Sequence, residues 1–190
     1  AKSNYYTGIA LIISGIIAAL ALHRRMTEAE LRHAVGDRVY DAFAPRGTLY
    51  QHDAEDPENL SYLGTTPHGE DVEINKRAAE SDLLVYVNIN LVAMDGGWKS
   101  TATGLSSYRS LRHHHNTHTM ENSRSFMDQH KSELHKSNWR MGEIMKKHGP
   151  KIFQIETTVN NDTFPSAFDF LGKREWEWNA RDRAKFVASS

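Results

Sequence analysis

Residues 83–89 read Leu83-Leu84-Val85-Tyr86-Val87-Asn88-Ile89, a continuous apolar and β-branched run. Such a run, without polar alternation, predicts a strand buried on both faces of a parallel sheet. A second run of the same kind, KIFQIETTV, spans Lys151 to Val159. Helical signals lie before and between them. Thr27-Glu28-Ala29-Glu30 is a capping box, in which Thr27 caps the amide of Glu30 and Glu30 reaches back. The helix it opens runs through Leu31, Ala34 and Val35, and Gly36 is its stop. A short helix follows over Asp37 to Phe43. Pro45 to Gly47 reads as a turn, Thr48 to His52 as a strand, Asp53 to Asn59 as a loop, Leu60 to Leu63 as extended and Thr65 to Asp71 as a turn. Ile74, Ala78 and Ala79 give Ile74 to Ser81 helical spacing, and Ser123 to Lys147 is helical and partly amphipathic. Strands alternating with helices predict an α/β fold, a mostly parallel sheet flanked by helices.

The chain has 190 residues, 39% hydrophobic and 25% charged, which is a globular composition. Lys and Arg number 23 against 24 Asp and Glu, a net charge of -1. That balance offers no general electrostatic argument for nucleic acid or for an anionic membrane. Cysteine is absent, so disulfides, thiolate nucleophiles and thiolate metal sites are excluded. Any metal must be held by histidine, carboxylate or a bound cofactor, which makes the 11 histidines informative. Gly8 to Leu22, GIALIISGIIAALAL, is apolar but short of the roughly 20 residues a spanning helix needs. It reads either as buried core, a helix leading into a strand, or as a signal segment.

Three features carry chemistry. Gly96-Gly97-Trp98-Lys99-Ser100 follows the first apolar strand, at the edge where open α/β sheets bind ligands. Paired glycines admit a close backbone approach, and a lysine there contacts phosphate or forms a covalent link. The spacing is not that of a P-loop, and a tight turn with a solvated lysine fits equally. Arg112-His113-His114-His115-Asn116-Thr117-His118 offers imidazoles, the commonest metal ligands, but without a zinc-protease pattern; a solvated basic surface is the alternative. Leu22-His23-Arg24 places a histidine at a strand-to-helix junction, as a general acid/base or as a surface group.

Taken together, His23-Arg24-Arg25-Met26-Thr27-Glu28-Ala29-Glu30, Tyr62-Leu63-Gly64-Thr65-Thr66, Ala79-Glu80-Ser81-Asp82-Leu83 and Gly96-Gly97-Trp98-Lys99-Ser100 resemble the lactate racemase family. The resemblance runs in order over residues 16 to 160. It implies the N-terminal, catalytic-type domain of a two-domain family, here over residues 1–160, with 161–190 as an extension or the start of a second domain. It also implies nickel and a nickel-pincer nucleotide, pyridinium-derived and tethered covalently to a lysine. Carried over by position, Lys99 is that tether, flanked by the cofactor-binding residues Gly97 and Ser100. His115 completes the nickel coordination, with His114 and His118 as fallbacks and His113 off the site. His23 is the acid/base on the substrate hydroxyl.

The implied reaction is racemisation or epimerisation of a 2-hydroxy acid by reversible hydride transfer. The sequence departs from the family in four places. Asn88-Ile89-Asn90 stands where a second catalytic histidine is usual. The phosphate-binding Asp-Xaa-Thr-Arg-Pro segment and a recognisable C-terminal domain are absent. Ala21 replaces the usual glycine before Leu22-His23. These departures keep two alternatives open: a relative acting on a different hydroxy or sugar acid, and a non-catalytic metal- or nucleotide-binding domain. With His23 in the site, the apolar run before it reads as a buried strand. The expectation is then a cytoplasmic enzyme with a small-molecule substrate, no nucleic acid and no membrane, and with room left for a homo-oligomer.

Overall fold

Strand β1 (Ile16–Ala18) enters the fold and pairs in parallel with β2 (Leu49–Gln51), Ile17 opposite Tyr50. A parallel pair needs a crossover, and helices α1 (Glu28–Val35) and α2 (Asp37–Phe43) supply it. Both capping-box hydrogen bonds of α1 are present, and Gly36, at φ 79°, ends it. The computed structural model describes residues 15–90, 93–158, 169–171, 173 and 175–189. The chain forms two compact units, Ala1–Glu156 and Thr157–Ser190. The expected boundary at residue 160, and Gly8 to Ser14 of the apolar run, lie outside the described residues.

In the first unit β3 (Leu60–Thr65) and β4 (Asp71–Asn75) form an antiparallel hairpin. A short helix α3 (Lys76–Ala79) leads to β5 (Leu83–Asn90), which shares a two-stranded sheet with β6 (Lys151–Thr158). Between them come α4 (Trp98–Gly104), α5 (Tyr108–Leu111), α6 (Thr117–Asn122) and α7 (Glu133–His148). The core gathers Val72 and Ile74 of β4, Ala78, Ala102, Leu105, and Met141 and Met145 of α7, with Leu84, Tyr86 and Trp98 packed against it. In the second unit, 3₁₀ turn Glu175–Glu177 precedes α8 (Ala180–Ser189), and Phe170 meets Trp178 edge-on with ring centroids 5.3 Å apart.

The α/β class holds, and three local expectations change. Ile74 to Ser81 is not one helix. Val72 and Ile74 alternate inward as strand β4, and the side chain of Asn75 starts α3 by accepting from the amides of Arg77 and Ala78. The strand at 83–89 is present but not buried on both faces: Val85, Val87 and Ile89 are 48%, 69% and 54% exposed. Among the described residues only the face carrying Leu84 and Tyr86 reaches the core. Helix α7 starts at Glu133, not at Ser123, because Ser132 caps it and turns precede it. Among the described residues no helix is long and apolar enough to cross a membrane.

Candidate functional site

Helix α4 organises the site, and three groups of polar side chains hold its first turn. Gly96 and Gly97 lead into it at φ 92° and 58°. A Cβ on Gly96 would lie 2.7 Å from Asn90 Nδ2 and 2.9 Å from Glu156 Oε2, side-chain ends that would have to shift, and the φ of 92° itself favours glycine. Glu156 accepts from the Gly97 amide at 2.6 Å and from Asn90 at 3.3 Å. Gln154 donates to the Gly97 carbonyl at 3.0 Å and to Thr101 Oγ1 at 2.7 Å. Asn88 donates to Ser100 Oγ at 3.0 Å and to Asn90 at 2.7 Å. The loop before α4 is fixed by His135, whose Nε2–H donates to the Met94 carbonyl at 2.9 Å. Trp98 packs against Gly142 of α7, where any larger residue would meet the indole. Lys99 is then held one residue into the helix, 20% exposed and paired with Asp95 at 2.9 Å.

The histidine run is anchored to the core strand. The linker after α4 follows β4: the Asn75 amide donates to the Leu105 carbonyl at 2.8 Å, and the Ser107 amide to the Glu73 carbonyl at 2.9 Å. Ser107 caps α5, and Ser110 Oγ accepts from the Glu73 amide at 2.8 Å. The chain then delivers His113, His114 and His115. His114 is 1% exposed; burial, and then the neighbouring His115, push its pKa down to about 3. His115 reaches solvent, yet enough protein surrounds its ring that desolvation lowers its pKa, and the Lys99 ammonium adds to this against the opposing Leu111 carbonyl. The two rings meet with Nδ1 atoms 2.9 Å apart. His113 Nε2 lies 3.8 Å from Asp71, and exposed His118 bonds to Asn122 at 3.1 Å.

His23 sits at the other end of α4. It follows a turn in which the Ala21 amide donates to the Gly104 carbonyl at 3.0 Å and the His23 amide to Leu20 at 2.8 Å. The side chain is exposed and lines a groove with Ala19, Leu20, Met26, Glu30 and His33. Among the described residues no hydrogen bond or ion pair joins it to Lys99 or His115. Thus α4 gathers Gly97, Lys99 and Ser100, places Lys99 within electrostatic reach of His115, and ties the His23 turn to its far end. Sequence reading missed Asp95, Gln154 and Glu156. A signal existed: Asn88 and Asn90, like Gln154 and Glu156, are polar pairs two apart near the ends of otherwise apolar strands, and a spacing of two puts both on one face.

A parallel βαβ entry and a glycine-paired loop feeding a lysine-bearing helix define an α/β domain. The chain belongs to the lactate racemase N-terminal domain family, whose sequence model matches residues 10–128. The lactate racemase of Thermoanaerobacterium thermosaccharolyticum is 31% identical over 111 residues, which is 56% of this chain and 25% of that protein. The lactate racemase of Lactiplantibacillus plantarum is 31% identical over 104 residues, 53% of this chain and 24% of its own length. The solved lactate racemase apoprotein from T. thermosaccharolyticum superposes with a TM-score of 0.63 at 25% identity, covering 78% of this chain and 35% of that structure. The chain therefore spans about a quarter of the length of the curated relatives it matches.

Proposed function

We propose that this chain is the cofactor-holding part of a racemase or epimerase for a 2-hydroxy acid, working with a nickel-pincer nucleotide tethered to Lys99. The observation that carries the reading is a half-buried lysine at the start of α4, paired with Asp95, whose ammonium adds to burial in lowering the His115 pKa. The donor set fits such a group. Among the described residues no three His, Asp or Glu side chains gather to hold a bare ion. A metal that came with most of its ligands on a bound nucleotide would need few donors from the protein, and His115 would supply one. When bound, the group supplies reversible acceptance of the substrate's C2 hydride.

The protein's part is position and proton transfer. Lys99 fixes the nucleotide at the ligand edge of the sheet, and Ser100, already accepting from Asn88, keeps its own O–H to donate. His115 offers a neutral nitrogen. His23 takes the proton from the substrate hydroxyl oxygen as the carbonyl forms, and returns it when the alcohol is rebuilt. Asn88 and Asn90 favour a second version of this reading. They occupy the place of the family's second histidine and bind Ser100 and Glu156 instead. That favours a relative that uses one imidazole base on a different hydroxy or sugar acid.

The test is the protein made together with the cofactor pathway. Wild type is expected to show a nucleotide-sized mass adduct and one nickel per chain. Lys99→Ala should lose the adduct, and His115→Ala should keep it while losing nickel. His23→Ala should keep both and lose inversion of configuration at C2 by about 10²–10⁴-fold. Wild-type protein carrying neither adduct nor nickel would sink the proposal. A panel of 2-hydroxy and sugar acids separates its two versions.

A further inference from the structure

Lys99 has a partner with no task in that scheme. Asp95 stands four residues before it, and its Oδ1 accepts from Lys99 Nζ at 2.9 Å. Pairs at this spacing usually lie along one face of a helix. Of this pair only Lys99 is helical, since α4 begins at Trp98. Gly96 and Gly97, at φ 92° and 58°, turn the chain between them so that the carboxylate faces the ammonium. The backbone beside Asp95 is pinned from outside the loop. His135 of α7 donates to the Met94 carbonyl at 2.9 Å, and Glu156 of β6 accepts from the Gly97 amide at 2.6 Å. Gln129 Nε2 lies 3.5 Å from the Asp95 carbonyl. Two carboxylates thus meet the start of α4 with different work: Glu156 binds the loop backbone and Asn90, and Asp95 binds the lysine.

A lysine side chain is a flexible four-carbon stem, and a loose one spreads its ammonium over many positions. An ion pair in open water restrains it little, because solvent and salt screen the attraction. This pair is 20% and 19% exposed, and its carboxylate sits on a pinned loop. We infer that Asp95 is a positioning residue: its carboxylate holds Lys99 Nζ in one place beside the glycine-paired loop, ready for the cofactor to be tethered there. The inference rests on the reading of Lys99 as the tether. Its physical content is pre-organisation. A nucleophile already in place needs no search for its geometry, and a misplacement of about 1 Å can cost about 10²-fold in rate. A carboxylate suits the task better than a neutral acceptor, because charge-assisted hydrogen bonds are the stronger kind. The same placement turns Nζ away from reagents in bulk solvent. They meet a side chain that is mostly buried and tied down, whereas a nucleotide seated by Gly97 and Ser100 meets it at close range.

Removing the carboxylate should therefore move two readouts in opposite directions. The first probe is a brief pulse of acetic anhydride on protein made without the cofactor pathway. It is read residue by residue by peptide mass spectrometry, with exposed Lys147 as the internal standard. Lys99 should be acetylated about tenfold more slowly than Lys147. Asp95→Asn, which keeps an accepting oxygen and loses the charge, should narrow that gap, and Asp95→Ala should nearly close it. In protein made with the cofactor pathway the nucleotide adduct should follow the reverse order: full in wild type, reduced in Asp95→Asn and lowest in Asp95→Ala. Lys99 labelled as fast as Lys147 in the wild type overturns the inference whatever the variants do, so a variant that fails to fold does not shield it. An unchanged gap in Asp95→Ala overturns it too, by making burial the cause. So does a full adduct in that variant. The two readings fail separately: wild type without adduct sinks the proposed function, and the labelling order still decides whether Asp95 holds Lys99.

Discussion

Ala21 adopts φ 51°, the left-handed conformation that a side chain disfavours, and among the described residues it is the only non-glycine at positive φ. Its amide bond to Gly104 fixes the turn that presents His23. The strain costs about 1–2 kcal/mol, and the extra chain freedom of glycine in the unfolded state offsets about 0.4–1 kcal/mol of any relief. Ala21→Gly is therefore expected to stabilise the protein by about 0.5–1 kcal/mol in urea titrations. A loss of stability would mean that the Ala21 methyl group packs well enough to outweigh the strain. At this scale the sequence was readable where one residue type has one reason to be present. Thr27 with Glu30 could be read as a cap, and both of its hydrogen bonds are present. Glu156 could not be placed, because its value comes from the Gly97 amide 59 positions away, and no local pattern encodes that meeting.

Elements were legible when their stop and start signals were local. The capped α1 and its Gly36 end are examples, whereas β4 was hidden because Ile74, Ala78 and Ala79 mimic a helical stripe across a strand-to-helix join. What ties these elements together is often one buried ion pair. Glu70, in the β3–β4 turn, is held by Arg140 of α7 at 2.8 Å and by Thr66. Burial alone would raise the Glu70 pKa, but the bonds from Arg140, Thr66 and Ser137 outweigh it and pull the group from its ordinary 4.5 down to about 2. A carboxylate depressed on folding contributes stability above its unfolded value and loses it as pH falls toward the folded one. The protein should therefore lose on the order of 2–3 kcal/mol between pH ~4.5 and ~2 through this group. Glu70→Gln should be less stable at pH 7 and should flatten the acid limb in that window. An acid limb of unchanged slope in the variant would assign the acid sensitivity to other carboxylates.

At the scale of the whole molecule, the run that announced the fold class also misdirected the search for the core. LLVYVNI reads as a doubly buried strand, yet Val87 is 69% exposed, and among the described residues the strand side chains at 0% exposure are Val72 and Ile74 of β4, whose C-terminal end was read as the start of a helix. Periodicity reports that a segment is apolar, not which elements the chain stacks against it. Helices α4 and α7 pack on β4 and on one side of β5, and among the described residues nothing covers Val85, Val87 and Ile89. The energetic consequence separates the two accounts. Ile74→Ala removes atoms at 0% exposure and should cost about 2–5 kcal/mol, a transfer loss plus a cavity. Val87→Ala removes atoms that are already mostly in water, so its cost should stay within about 0.5 kcal/mol. Denaturant midpoints of the two variants, taken at the same m-value, check this directly. A Val87 cost approaching that of Ile74 would restore the doubly buried strand and would require that its outer face be covered in solution.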